Sequence, residues 1–326
     1  MLLNLLEYHW AEDIDDALLL LSRTDIKTVP LAGGTYLLGQ ADVGTQFIAS
    51  DIEAVVDLRD LQLSYIKEDA QMIHIGAMTT LQNMADAPLL KNSADGVLAR
   101  AAQASSFSRL LRNSATLGGT IGAGVASQAD LLTALSVMDA EVVLRSGSQT
   151  SVNLGGGQRA GQSFAPTGIV YKGKHERRLA FHSFALEHRP NELIIEVRIP
   201  RPGTTASGAF ERVGRTPTDV ALLNAVALVA VQDEVYQRVR LALGGVNMEP
   251  VRLYAIEQQL EGKPADVGAQ FIASLVQASM ADVRLPSDFR ASSGYRHVCG
   301  INLVNRVLEE ATNGSRWRGK FSGKRA

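Results

Sequence analysis

Two short stretches, Leu31-Ala32-Gly33-Gly34-Thr35 and Thr116-Leu117-Gly118-Gly119-Thr120, constrain this chain more than any other feature. Each places two glycines before a threonine. Adjacent glycines can adopt φ > 0 and carry no Cβ, so a polar ligand can reach the backbone N–H groups while the Thr hydroxyl adds a donor. Such a turn can hold a phosphate. Two of them, brought together by folding, could clasp the two phosphates of a dinucleotide from opposite sides. Taken singly, either copy reads first as a tight turn.

The rest of the composition narrows the chemistry. A chain of 326 residues suits two or three domains, and 46% hydrophobic with 20% charged residues describes a soluble globular protein. Thirty-two basic residues balance 34 acidic ones without a basic stripe, which argues against nucleic acid or an anionic membrane as the main partner. No Lys or Arg precedes Arg23, so the start lacks the basic region of a secretory signal. The longest apolar run, 220–231, is too short to span a bilayer and contains Asn224, so membrane insertion is excluded and a cytoplasmic protein is expected. A single cysteine, Cys299, rules out an internal disulfide, thiolate-bound zinc and iron–sulfur clusters on this chain. It reads as a small buried hydrophobe in a helix. The six histidines show no ligand spacing, so neither a metal site nor a catalytic residue is nominated.

Along the chain, Ile14, Ala17, Leu18 and Leu21 have helical spacing behind Asp13 or Asp15 as a cap, and 29–32 is a strand delivering the first glycine turn. With a buried strand at 54–58 this makes an early β-α-β unit. A hairpin follows at 64–66 and 72–75, with His74 facing solvent, then helices at 81–84 and 97–104. After the second turn, Asp130 is placed to cap a helix carrying Leu131, Leu132, Leu135 and Met138, and 141–145 is a strand. The Gly- and Ser-rich segment 147–178 reads as a mobile surface loop. Its Gly155-x-Gly157-x-x-Ala160 lacks the strand, helix and acid of a dinucleotide fingerprint. A strand at 193–199 leads to a linker at 200–203. Strands at 209–213, 226–231 and 235–243, with Asp233-Glu234 as a hairpin tip, then precede helices at 253–260, 267–280 and 295–311.

In order and spacing, these segments resemble the flavin-binding (medium) subunit of the molybdenum hydroxylases, the xanthine dehydrogenase and carbon monoxide dehydrogenase group. LAGGTYLL at 31–38 and RNSATLGG at 112–119 match that family's two flavin-diphosphate turns, and IHIGAMTTLQNM at 73–84 matches the segment between them. FERVGRTPTDVALLNAVALVAV and LALGGVNMEPVR match its C-terminal domain. The resemblance implies an α+β fold: a two-subdomain PCMH-type FAD-binding domain over 1–200, with subdomains of about 1–58 and 59–200. A smaller α/β C-terminal domain of the CO dehydrogenase flavoprotein type follows over 206–326.

Carried over by position, the resemblance puts FAD against Leu31, Ala32, Gly33, Gly34, Thr35 and Tyr36 on one side and Thr116, Gly118, Gly119 and Thr120 on the other. Asp130 is the family's acid near the flavin, or else only a helix cap. The sequence departs from the pattern: Thr120 stands where Asn or Asp is usual, Gln128 where Pro is usual, and the spacing to Asp130 is altered by a residue. Arg112-Asn113 could position the second turn or touch phosphate, and the positioning role is favoured. The resemblance also implies partners: a large molybdopterin-molybdenum subunit and a small subunit with [2Fe–2S] clusters, in a heterotrimer or a dimer of heterotrimers. The function implied is transfer of electrons from those clusters through FAD to an external acceptor. Two alternatives stay open, a self-sufficient FAD-dependent oxidase or reductase of the same fold and a flavin-poor assembly subunit.

Overall fold

The structure is a computed structural model describing residues 5–38, 52–125, 129–153, 167–189, 191–216, 218–246 and 249–322. Its first layer is a three-stranded parallel sheet of β1 (Glu7–Trp10), β2 (Thr28–Leu31) and β3 (Ala54–Asp57), with β3 in the middle. The linking helix α1 (Ile14–Leu21) starts where the Asp13 carboxylate accepts the Asp16 N–H at 2.8 Å, and it buries Ala17 and Leu18 with Val56. Trp10, Asp57 and Leu31 are level in register at the C-terminal edge of the sheet, from which β2 runs directly into the first glycine turn. β1 had no place in the sequence reading. Four residues alternating polar and aromatic, half of them exposed, give little pattern to read.

A five-stranded sheet follows, built from β4 (Ile66–Glu68), β5 (Met72–Gly76), β6 (Glu141–Asn153), β7 (Thr167–Ala180) and β8 (Glu192–Pro200) in the order β4-β5-β8-β6-β7. All of its pairs are antiparallel. Here the loop expected at 147–178 is corrected: β6 and β7 pair from Glu141↔Ala180 to Asn153↔Thr167, a long hairpin whose ladder depends on backbone groups and not on apolar alternation. The Gly155–Ala160 pattern lies outside the described residues. His74 is corrected too, because its ring sits between two acids, 2.9 Å from Asp69 Oδ2 and 3.2 Å from Glu196 Oε1.

Between β5 and β6 the described residues form the α-helices α2 (Leu81–Asp86), α3 (Pro88–Asn92), α4 (Val97–Ala104), α5 (Arg109–Ser114), α6 (Leu117–Ala123) and α7 (Ala129–Val137), with a 3-10 turn at Ala94–Gly96. After the short α8 (Phe184–Glu187) and β8, a four-stranded antiparallel sheet is formed by β9 (Ser207–Val213), β10 (Leu223–Gln232), β11 (Val235–Gly244) and β12 (Val251–Arg252). The hairpin tip falls at Asp233 and Glu234, both at positive φ (51° and 55°), which suits the twist of a two-residue turn. Three helices, α9 (Tyr254–Leu260), α10 (Ala269–Ala281) and α11 (Ser293–Ser322), pack on this sheet around Val229, Tyr236, Val276 and Val304. α11 runs well past the expected end at 311.

The other face of that sheet does not have a core of its own. Phe210, Val226, Leu228 and Ala242 belong to the same buried cluster as Leu98, Leu131, Leu135 and Val142. Polar clamps border this junction. Asp139 accepts from Arg238 at 2.6 Å, Arg240 at 3.0 Å and Arg252 at 2.9 Å. Asp95 accepts from Ser207 Oγ at 2.6 Å, from the Gly208 N–H at 3.1 Å and from Arg318.

Candidate functional site

Folding brings the two glycine turns together. A Cβ at Gly33 would lie 1.7 Å from the Ser114 carbonyl oxygen, so the first turn rests on the backbone that ends α5 and opens the second turn. A Cβ at Gly119 would be 3.5 Å from the Ala32 methyl. Ala32 and Gly33 therefore occupy one side of a seam whose other side is Ser114 to Gly119.

The two turns are chemically unlike. In the first, Gly34 sits at φ +68°, and no backbone N–H from Ala32 to Tyr36 donates to a partner among the described residues. Five consecutive N–H donors without acceptors among the described residues, each with a partial positive charge on its hydrogen, suit the oxygens of a phosphate. In the second, Gly118 and Gly119 are not at positive φ but in the first turn of α6, which corrects the expectation of a matching open loop. Thr116 caps that helix, its hydroxyl accepting the Gly119 N–H at 3.1 Å. The neighbouring donors are also taken: Leu117 N–H by the Thr79 carbonyl at 2.9 Å, Gly118 N–H by the Ala77 carbonyl at 2.8 Å, and Thr120 N–H by the Thr116 carbonyl at 2.9 Å. Gly118 fits there because a Cβ would come within 2.9 Å of the Ala77 methyl and 3.0 Å of the Ala77 carbonyl oxygen. The Thr120 hydroxyl is buried without a hydrogen-bond partner among the described residues.

Beside the seam lies a cavity of about 420 Å³, within the size range of small-molecule sites. Thr35 and Tyr36 line it from the first turn, Phe107, Leu111 and Ala115 from the α4–α6 segment, Arg212 from β9, and Asp219 and Val220 from the β9–β10 connection. Asp130 also lines it, and here the capping role is corrected. Asp130 lies inside the first turn of α7, almost wholly buried, with its carboxylate turned across the junction to Asn224 Nδ2 at 2.8 Å and Arg212 Nε at 3.5 Å. Burial pushes its pKa up, opposed by Arg212 and Asn224. Arg112 donates to Gln82 Oε1 at 2.9 Å and to the carbonyls of Ser106 and Phe107 at 2.5 and 3.0 Å, so these bonds tie α2 to the loop lining the cavity and do not reach the second glycine turn that it was expected to position. The residues given by the C-terminal sheet were not legible beforehand. FERVGR marks a strand, but no spacing places Arg212 opposite Asp130.

A groove lined by residues of the N-terminal half and of the C-terminal half, with the open amides of Thr35 and Tyr36 at one wall, has the features of a site for a phosphate-bearing cofactor. Two family models match in order, the FAD binding domain in molybdopterin dehydrogenase over residues 4–155 and the CO dehydrogenase flavoprotein C-terminal domain over residues 208–311. The chain is 24% identical to the glyceraldehyde dehydrogenase medium chain of Sulfolobus acidocaldarius, covering 93% of this chain and 97% of that one. It is 26% identical to a putative xanthine dehydrogenase FAD-binding subunit of Escherichia coli, covering 93% and 95%. Among solved structures, the carbon monoxide dehydrogenase of Hydrogenophaga pseudoflava that lacks the Mo-pyranopterin moiety superimposes with a TM-score of 0.78 at 23% identity, over 95% of this chain and 98% of that chain. This protein belongs to the FAD-binding medium subunits of the xanthine and carbon monoxide dehydrogenase type, and is an oxidoreductase subunit whose cofactor is FAD.

Proposed function

We propose that this chain is the electron-transfer subunit of a molybdenum-containing hydroxylase or dehydrogenase, holding FAD in the cavity between the glycine turns and the C-terminal sheet. The five amides of Ala32 to Tyr36, unpartnered among the described residues, carry the reading: they fit a diphosphate, and Gly33 lets that turn seat against the second. Leu31, paired with Asp57 at the sheet edge, aims the turn, and Thr35 adds a hydroxyl. Thr116, Gly118 and Gly119 form the opposing side, the Thr120 hydroxyl of the same helix has no hydrogen-bond partner among the described residues, and Asp130 lines the cavity. The clasp is asymmetric, with donors on one side and close-packed wall on the other. FAD supplies a group that accepts electrons singly from metal centres and releases them in pairs; this chain binds and orients it.

The partners are a large molybdopterin subunit and a small subunit carrying [2Fe–2S] clusters, arranged as a heterotrimer or a dimer of heterotrimers. One cysteine cannot ligate such clusters, and no group of three or more potential metal ligands exists among the described residues. The names of the relatives support this, since they are medium chains and FAD-binding subunits. The proposed division is an FAD-binding unit over 1–200, with subdomains near 1–58 and 59–200, and a C-terminal unit over 206–326. To test it, the chain is purified alone and coexpressed with its genomic neighbours, and flavin content and substrate-dependent dye reduction are assayed. FAD in both samples with activity only in the complex is expected. Substrate oxidation by the isolated chain would instead establish a self-sufficient flavoenzyme, and absence of flavin from both an assembly subunit.

A further inference from the structure

Arg212 stands out in the cavity wall. It is the one cation lining that space among the described residues, and it comes from the C-terminal sheet, whereas the glycine turns belong to the N-terminal half. The guanidinium is held from the protein side. Its Nη2 donates to the Asp219 carbonyl at 2.6 Å, and its Nε is buried 3.5 Å from Asp130 Oδ2, beyond a good hydrogen bond. Nη1 makes no hydrogen bond among the described residues.

The charges around it leave it available. Of the two acids in the wall, Asp219 is paired with Arg215 at 3.1 Å. Asp130 alone faces Arg212, and Asn224 fixes that carboxylate from behind. A guanidinium oriented by a carboxylate and a carbonyl, with an unused Nη1, is a preorganised receptor for an anionic or carbonyl oxygen. A second cavity of about 360 Å³, lined by Arg100, Gln103 and Phe210, shares Ala104 and Arg212 with the first, so Arg212 stands at the point where the two spaces meet.

We propose that Arg212 is the group through which the C-terminal sheet holds the bound FAD, donating from Nη1 to an oxygen of the dinucleotide, and that Asp130 positions it. This rests on the assignment of FAD to this cavity. The oxygen belongs either to the diphosphate or to the flavin ring carbonyls, and both present the same acceptor chemistry.

The test uses the full chain stripped of flavin, titrated with FAD, with ADP and with riboflavin, while thermal melting is followed in parallel. Losing one charge-assisted hydrogen bond is expected to weaken FAD binding of R212Q roughly 10- to 100-fold. R212K, which keeps charge but loses the fork, falls between R212Q and wild type. A loss repeated with ADP assigns the oxygen to the diphosphate, and a loss repeated with riboflavin assigns it to the ring. For the positioning role, D130N weakens FAD binding less than R212Q, and the double variant is no weaker than R212Q alone, a non-additivity that a purely structural carboxylate would not produce. R212Q that melts like wild type and binds FAD with wild-type affinity overturns the proposal. If R212Q melts well below wild type, R212K decides, intermediate affinity supporting the proposal and wild-type affinity overturning it. Failure of the unmodified chain to bind FAD would reject the cavity assignment itself and is seen before any variant is made.

Discussion

The two Gly-Gly-Thr segments are nearly identical as sequences and opposite as structures. The first is an open turn at the end of a parallel strand, with Gly34 at φ +68° and its amides unpartnered among the described residues. The second is the start of a seven-residue helix in which every early amide has an acceptor. Glycine is required in both for different reasons. At Gly34 the reason is a dihedral angle; at Gly33, Gly118 and Gly119 it is space. A local motif therefore reports that backbone comes close to something, but not whether it offers donors there.

The sharpest way to break this contrast is Gly33→Ala. A methyl 1.7 Å from a backbone carbonyl oxygen cannot be accommodated by a rotamer change, so a loss of about 3 kcal/mol or more and loss of retained flavin are expected by denaturant titration and absorbance. Wild-type stability would refute the seam between the turns. Next is Gly34, where the nearest obstacle, Leu38 Cδ1 at 3.0 Å, is a flexible side-chain end. Here Gly34→Ala should cost about 1–3 kcal/mol from the dihedral, and Gly34→Asn less, because Asn tolerates the left-handed region. Equal costs would show that space governs this position too. Thr116→Ala removes the cap from α6 and should cost about 1 kcal/mol in a thermal melt, with a smaller effect on flavin content than Gly33→Ala. The smallest effect is expected one helical turn on. Nothing lies nearer than 3.9 Å to a Cβ at Gly122, so Gly122→Ala should stabilise by about 0.5–1 kcal/mol, whereas Gly118→Ala in the same helix should not, since the Ala77 contact offsets the gain. A stabilising Gly118→Ala would remove the steric half of the contrast.

What could be read from sequence follows the same physics. Strands with apolar runs, such as 193–199 and 226–231, announce themselves because both faces are buried, and α1 and α2 show their spacing and caps. α6 does not. Its Leu-Gly-Gly-Thr-Ile-Gly composition opposes a helix by propensity, and only the tertiary contacts to Ala77, Thr79 and Thr116 make one. β6 shows itself only at 141–145; beyond that the β6–β7 hairpin is equally silent, since a ladder through polar and glycine residues leaves no period to detect. At the site, the two glycine turns are legible as segments that fold against each other, Gly33 on Ser114 and Gly119 near Ala32, but Asp130 is not distinguishable from a cap. Its partners, Asn224 and Arg212, lie about ninety residues away on another sheet, a pairing that no local pattern encodes.

The apolar cluster that passes from Leu98 and Leu135 into Phe210 and Leu228 gives the molecule a property unlike that of two beads on a string. Cutting near residue 203 would strip the cover from both pieces at once, exposing one side of β10 together with the helices that lie over it. The halves thus lack autonomy, and melting should proceed as one cooperative event, with a calorimetric enthalpy equal to the van't Hoff value. In evolutionary terms, insertions are tolerated at the rims of such a chain, but the two halves cannot be exchanged piecemeal with those of a distant relative unless the buried seam is exchanged with them.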